Sequence, residues 1–245
     1  DDIMVSGPGI ERNEGMLGFD WVTHKNDPQA ADDDLRVTGL VPPSVDALRD
    51  RFDLVEALSG GNFADTLRGD DADAALLGTD HDLDAAGIAR IEGLAALVAP
   101  GFNGGNILLG GEGSDLIEGR GGDDVIHGDW WLNVRLRAPN PAVPGTSQLV
   151  DGLGALRADV FAGRINPGDI TIHRNPEPSA AGSFVDTVVF SGPRADYDLA
   201  VSGEDPDRGP VDEHAQLHPA VLHAEWRGVA SAERGMEAHL SRAGA

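Results

Sequence analysis

The chain has 245 residues, with 42 acidic and 18 basic side chains for a formal charge of -24, 33 glycines and no cysteine. A charge of this sign repels phosphate and excludes nucleic-acid binding through a basic surface. The missing cysteines exclude a disulfide framework and a thiolate zinc site. No apolar run approaches the eighteen or so residues that span a bilayer, so no membrane span is expected.

The length suits one large domain or two small ones, and an aromatic share of 5% is too low for a thick conventional core. Asp outnumbers Glu and Gly is abundant, which fits tight turns and hard-cation sites better than helices. The chain opens at Asp1 without a signal-peptide pattern, and it reads as a piece of a longer protein.

In chain order, residues 1–68 hold degenerate nine-residue repeats. Asp2, Glu11 and Asp20 lie nine apart, with Met4 and Val22 two residues beyond the acids, although Asn13 breaks that apolar column. Glu56 and Asp65 repeat the spacing, followed by Leu58 and Leu67. Between them, 24–50 reads as a surface excursion. Its Asp32-Asp33-Asp34 run is a solvated stretch rather than a metal site, since three adjacent side chains do not share a face. Val45, Leu48 and Phe52 behind Ser44 predict a short helix over 44–52.

Residues 69–100 predict a helical insertion, with an amphipathic helix at 83–98. The preceding Asp80-His81-Asp82-Leu83-Asp84 imitates half an EF-hand loop. The match then fails at Ala85 and Ile91, leaving helix capping by Asp82 or Asp84 as the reading.

Residues 101–129 hold the regular repeats: Gly101–Leu109, Gly110–Glu118 and Gly119–His127. In register, position one is Gly101, Gly110 and Gly119, and position four is Gly104, Gly113 and Gly122. Position six is Asn106, Asp115 and Asp124, and position eight is Leu108, Ile117 and Ile126. Glycines supply the turn, and the x-U-x triplet is a short strand with one inward apolar residue. One such strand cannot bury its own face, so the repeats must stack. His127, at position nine, is expected to face solvent.

Residues 130–202 read as a β-rich C-terminal cap with a helix at 150–162, strands at 169–174 and 186–190, and a further strand after Asp196-Tyr197-Asp198. Trp130 and Trp131 either cover the open end of the last repeat or stack on a sugar ring. The tail, 203–245, holds four of the eight histidines and reads as poorly ordered or as a secretion signal. His214 and His218 have helical metal-pair spacing, but Pro219 follows directly and no cysteine joins them.

The segment GGEGSDLIE fits the pattern G-G-x-G-x-D-x-U-x at every fixed position, and the chain resembles the hemolysin-type (RTX) calcium-binding family. The resemblance implies a mainly β fold, a right-handed parallel β-roll with short helical insertions, in which loops eighteen residues apart stack around calcium. It implies that Asn106 pairs with Asp124, that Asp2 pairs with Asp20, and that Asp115 faces the aberrant loop Gly128-Asp129-Trp130. The implied calcium ligands are Asp2, Asp20, Asp65, Gly101, Asn103, Asn106, Gly110, Glu112, Asp115, Gly119, Gly121 and Asp124. Asn106 supplies an oxygen without charge, which implies a weaker site.

GMLGFDWVTHK, DRFDLVEALSG, DTLRGDD, WLNVRL, VFAGRINPG and DTVVFSGPRADYDL resemble more narrowly the C-terminal calcium-binding region of bacterial haem peroxidases of the animal type. That resemblance implies a secreted, extracellular protein whose catalytic domain lies upstream. The chain itself holds no G-x-S-x-G, Walker loop or nucleophilic cysteine, so no enzyme activity is expected of it. The leading expectation is a module that folds on calcium. A calcium-stabilised adhesive module, with Trp130 and Trp131 on a cell-surface glycan, is the alternative, and a roll that has lost its metal is a third reading.

Overall fold

The computed structural model describes residues 1–39, 49–72, 80–98, 102, 104–180, 184–190, 199–202, 220–224, 229–233 and 236–239. Its first seven strands are three residues each: β1 (Ile3–Val5), β2 (Arg12–Glu14), β3 (Trp21–Thr23), β4 (Asp32–Asp34), β5 (Arg51–Asp53), β6 (Ala57–Ser59) and β7 (Thr66–Arg68). Helices α1 (Ala85–Arg90) and α2 (Leu94–Leu97) follow, then β8 (Ile107–Leu109), β9 (Leu116–Glu118) and β10 (Val125–His127). The remainder comprises β11 (Trp130–Pro139), β12 (Ser147–Val150), α3 (Leu153–Phe161), β13 (Thr171–Pro178), β14 (Val185–Val189), β15 (Leu199–Ser202), β16 (Ala220–Ala224), β17 (Val229–Glu233) and β18 (Met236–His239).

The short strands alternate between two sheets. In one, β1, β3, β6, β8 and β10 are parallel neighbours, with Met4, Val22, Leu58, Leu108 and Ile126 in register. In the other, β4, β7, β9 and β14 are parallel, with Asp33, Leu67, Ile117 and Val188 in register. The apolar members of both columns form one buried cluster, so the position-eight residues are the core. Both sheets are mixed rather than purely parallel: β18 joins β10 antiparallel, and β17 joins β14 antiparallel. The fold is mainly β, as expected.

The first sheet is also covered on its outer face. Trp21, Ala57, Ile107, Leu109 and Val125 pack against Leu83, Ile91, Leu94, Leu97 and Val98 of the insertion and against Leu132 of β11. Residues 83–98 thus shield flanking strand residues too apolar for water. The helix expected at 83–98 is two helices instead. Gly93 adopts a left-handed conformation (φ 89°) between them, while Asp84 caps α1 by accepting from the Gly87 N–H.

Several other expectations are corrected. The Asp triplet is no solvated excursion: Asp32–Asp34 forms β4, and Asp33 is buried at an inward position. It is tolerated because His24 lies beside it, with Nε2 2.7 Å from Asp33 and Nδ1 3.2 Å from Asp27. Burial opposes charge on this imidazole, but the hydrogen bond and charge of Asp33 and the hydrogen bond of Asp27 outweigh it and raise its pKa to about 9. The helix expected over 44–52 lies largely outside the described residues, and its end, Arg51–Asp53, is strand β5.

The region 130–202 is not only a cap, because β14 continues the second sheet as a further rung on β9. Trp130 and Trp131 do not cover the end of the stack. Alternation along β11 sends them to opposite faces, with Trp130 against the outer-face cluster and 5.1 Å from the His127 ring. His127 is accordingly buried, not solvent-facing. Two tryptophans on opposite faces do not make one platform for a sugar ring. In the tail, β16 and β18 pair parallel and β18 adds to the first sheet. His214 and His218 lie outside the described residues.

If the position-eight columns are the core, Ile117→Ala, at a fully buried site, should cost about 2–5 kcal/mol. Leu116→Ala, next to it but 38% exposed, should cost far less, about 0.5 kcal/mol or below. Urea unfolding of both variants checks the difference.

Candidate metal centre

Position six of each rung recurs at a strand entrance, and its side chain reaches back to the preceding rung. Along the first sheet, the Asp2 N–H donates to Asp20 Oδ1 (2.5 Å), the Asp20 N–H to Glu56 Oε2 (2.8 Å), and the Asn106 N–H to Asp124 Oδ1 (2.8 Å). Along the second, the Ala31 N–H donates to Asp65 Oδ1 (2.7 Å), the Asp65 N–H to Asp115 Oδ1 (2.8 Å), and the Asp115 N–H to Asp186 Oδ1 (2.9 Å). Two ladders of acceptors therefore run up the two edges.

Each carboxylate has two oxygens, and the ladder uses one. Oδ2 of Asp20, Asp115 and Asp124 is buried without a hydrogen-bond partner among the described residues. An unpaired buried carboxylate oxygen is costly, so these groups are half satisfied.

The glycines explain what surrounds those oxygens. A Cβ on Gly110 would fall 2.4 Å from Asp115 Oδ2 and 2.4 Å from the Gly128 carbonyl oxygen. On Gly60 it would meet the Gly110 carbonyl oxygen at 2.1 Å and Asp65 Oδ2 at 2.3 Å, and on Gly128 it would meet Asp186 Oδ2 at 2.1 Å. Position one must be glycine because loop carbonyls and position-six carboxylates converge there. Oxygen donors without nitrogen or sulfur suit a hard cation such as calcium.

The electrostatics agree. Burial, reinforced by the charges of Asp20 and Asp70, pushes Glu56 up to about 8. Burial also pushes Asp115 up to about 8, with Asp186 and Asp65 adding to the rise, and it lifts Asp65 and Asp186 to about 6. Asp20 and Asp124 are raised for the same first reason. The protein thus gathers carboxylates where their charge is disfavoured and supplies few cations.

The sequence-expected residues meet this geometry unevenly. Asp2 with Asp20 and Asn106 with Asp124 stack as the eighteen-residue spacing implies. The Gly110 N–H donates to the His127 carbonyl, the Glu112 N–H to the Gly61 carbonyl and the Gly121 N–H to the Asp70 carbonyl. Gly119 offers its carbonyl oxygen 2.5 Å from a Cβ on Gly69. Gly101 and Asn103 lie outside the described residues.

Asp115 is corrected in part: the Gly128 backbone does lie on its loop, but the next carboxylate is Asp186 rather than Asp129. Asn106 is already engaged. Its Oδ1 accepts from the Asp70 N–H (2.8 Å) and its Nδ2 donates to the Glu56 carbonyl (3.2 Å), so the amide crosslinks two rungs without an ion.

Sequence reasoning missed Glu56, Asp70 and Asp186 as site residues. Glu56 carried a signal, standing nine before Asp65. Asp186 carried a fainter one, an inward Val188 two residues later as in Asp115 and Ile117.

Acids whose folded pKa is raised hold the proton more tightly folded than unfolded. Their stabilising contribution is present below about pH 4 and is lost as pH rises through about 6 (Asp65, Asp186) and about 8 (Glu56, Asp115). The melting temperature of EDTA-treated protein should therefore fall between pH 5 and pH 8.5, and calcium should flatten the fall.

In comparison with known families, residues 100–130 match the RTX calcium-binding nonapeptide repeat in four copies. Comparisons with curated proteins and with solved structures return no match. Repeats of this family bind Ca2+, and the half-satisfied Asp115 and Asp124 fall inside the matched segment. The chain carries the calcium-binding nonapeptide repeats of the RTX family.

Proposed function

We propose that the chain is the calcium-dependent folding module of a secreted protein, and that its parallel strands wind as a right-handed β-roll closed by ions between loops. The observation that carries this reading is the set of buried, unpartnered Oδ2 atoms on Asp20, Asp115 and Asp124, each at the rim of a stacked loop. Asp115 would share an ion with the Gly110 and Gly128 loops and Asp186. Asp124 would do so with the Gly119–Gly121 loop. Asp20 would do so beside Asp2 and Glu56, and Asp65 would add its carboxylate beside Gly60 and the Glu112 loop.

The function follows from charge. Without metal, rows of carboxylates and a net charge of -24 favour expansion. A bound divalent ion cancels two charges and ties successive rungs, so binding energy becomes folding energy. One site at a hundredfold excess of ion over its dissociation constant contributes about 2.7 kcal/mol, comparable to a large share of a domain's stability. In this reading the chain stays loose where calcium is scarce and folds outside the cell. The parent chain would place a catalytic domain upstream, as the peroxidase resemblance implies.

Isothermal titration calorimetry with calcium tests the reading. The wild type should bind more than one equivalent. Asp115→Asn and Asp124→Asn should each lower the stoichiometry, and Gly110→Ala should act like Asp115→Asn by filling the oxygen cradle. Magnesium, which holds its waters and demands octahedral geometry, should bind weakly. Unchanged calcium uptake in both Asp variants, or none in the wild type, would sink the assignment.

A further inference from the structure

One buried cluster stands apart from the two acceptor ladders. His24 follows β3, Asp33 is the inward residue of β4, and Asp50 directly precedes β5. One donor atom from each lies within 4.8 Å of the other two, and all three side chains are buried. No other group of three or more such side chains meets this spacing among the described residues.

The second-layer contacts orient these donors. Asp27 Oδ2 lies 3.2 Å from His24 Nδ1, which turns Nε2 toward Asp33 at 2.7 Å. A carboxylate on one imidazole nitrogen supports histidine as a metal ligand, and an ion here would displace the proton that Nε2 now shares with Asp33 and take over its compensating charge. The Glu11 N–H donates to Asp50 Oδ1 at 2.8 Å and fixes that carboxylate. Asp65, the nearest member of the ladder, is engaged elsewhere, with its oxygens accepting from the Ala31 and Gly61 N–H groups. A cavity of about 160 Å3, bounded by Gly7, Pro8, Gln29 and Arg49, adjoins the cluster and has room for water.

The geometry points to a second class of metal site here, in which His24, Asp33 and Asp50 bind a borderline transition-metal ion such as Zn2+ rather than calcium. The donor set decides the ion. The ladder sites offer oxygen alone, whereas an imidazole nitrogen with two carboxylates suits zinc, cobalt or manganese. A tetrahedral ion with bonds of ~2.0–2.1 Å has ligands ~3.4 Å apart, so side-chain adjustments of about an ångström would close the site, with cavity water as the fourth ligand. The ion would join three strands, β3, β4 and β5, at the place where the chain departs from its regular turn.

Cobalt, a spectroscopic stand-in for zinc, tests this in the full chain saturated with calcium. One equivalent should give visible d–d bands of four-coordinate intensity, and zinc should abolish them. His24→Gln and Asp50→Asn should each remove the bands or weaken cobalt binding at least tenfold, while the double variant His214→Gln/His218→Gln should leave them intact. If His24→Gln fails to fold by circular dichroism, Asp50→Asn decides alone, since an asparagine oxygen can still accept the Glu11 N–H. Absence of the bands in the wild type, or their survival in Asp50→Asn, overturns the proposal. Calcium binding at the ladders is read separately by calorimetry, so either claim can fail without the other.

Discussion

The structure depends on one contact: a buried position-six carboxylate that accepts the backbone N–H of the rung before it and leaves its other oxygen unpaired. The contact stacks neighbouring strands, because it ties a side chain at the entrance of one to the main chain at the entrance of the next. It also creates a deficit, because the second oxygen of Asp20, Asp115 and Asp124 is removed from water without a donor. A fold built this way is assembled and destabilised by the same residues. In the proposed reading, a bound cation would supply the partner that those oxygens lack.

The same contact explains why the sequence between rungs varies so widely. Asp65 caps Asp115 across 50 residues, and Asp115 meets Asp186 across 71, yet the bonds are 2.8 and 2.9 Å, as in the eighteen-residue pair Asn106 and Asp124. Most rungs combine a polar position-six side chain, a short strand and one inward apolar side chain, with Asn106 and Asp33 as the exceptions in kind. Whatever is inserted between must leave the edge open, and lengthening a surface connection costs little. The 69–100 insertion even adds packing, by covering Trp21, Ile107 and Val125. Where the loop lacks a glycine at position two, Arg120 takes the left-handed conformation itself (φ 74°), and Asp34 holds its guanidinium at 2.6 and 2.8 Å.

The regular repeats were legible because glycine, carboxylate and apolar residue recur at fixed spacing, and each of those residue types has one physical reason to be there. Leu108, Ile117 and Ile126 occupy the core positions their register implied, and Asn106 and Asp124 stack at the eighteen-residue spacing. Legibility failed where a rung kept its shape but changed its chemistry. Asp33 at an inward position reads as solvated, because nothing local reveals that His24, nine residues earlier, supplies the compensating charge. Asp186 was obscured for the opposite reason, since its rung keeps the carboxylate and Val188 but its partner lies 71 residues away. Trp130 and His127 misled because short-range pattern says which residues are large or polar, not that β11 crosses the outer face of the first sheet.

Thermal melting of the EDTA-stripped chain by circular dichroism at pH 7.5, with and without calcium and with magnesium as control, tests the central claim most directly. If unpaired carboxylates govern stability, calcium should raise both the β signal and the melting temperature, by much more than magnesium does. A stripped chain that is already folded and melts at the same temperature with calcium would contradict the account.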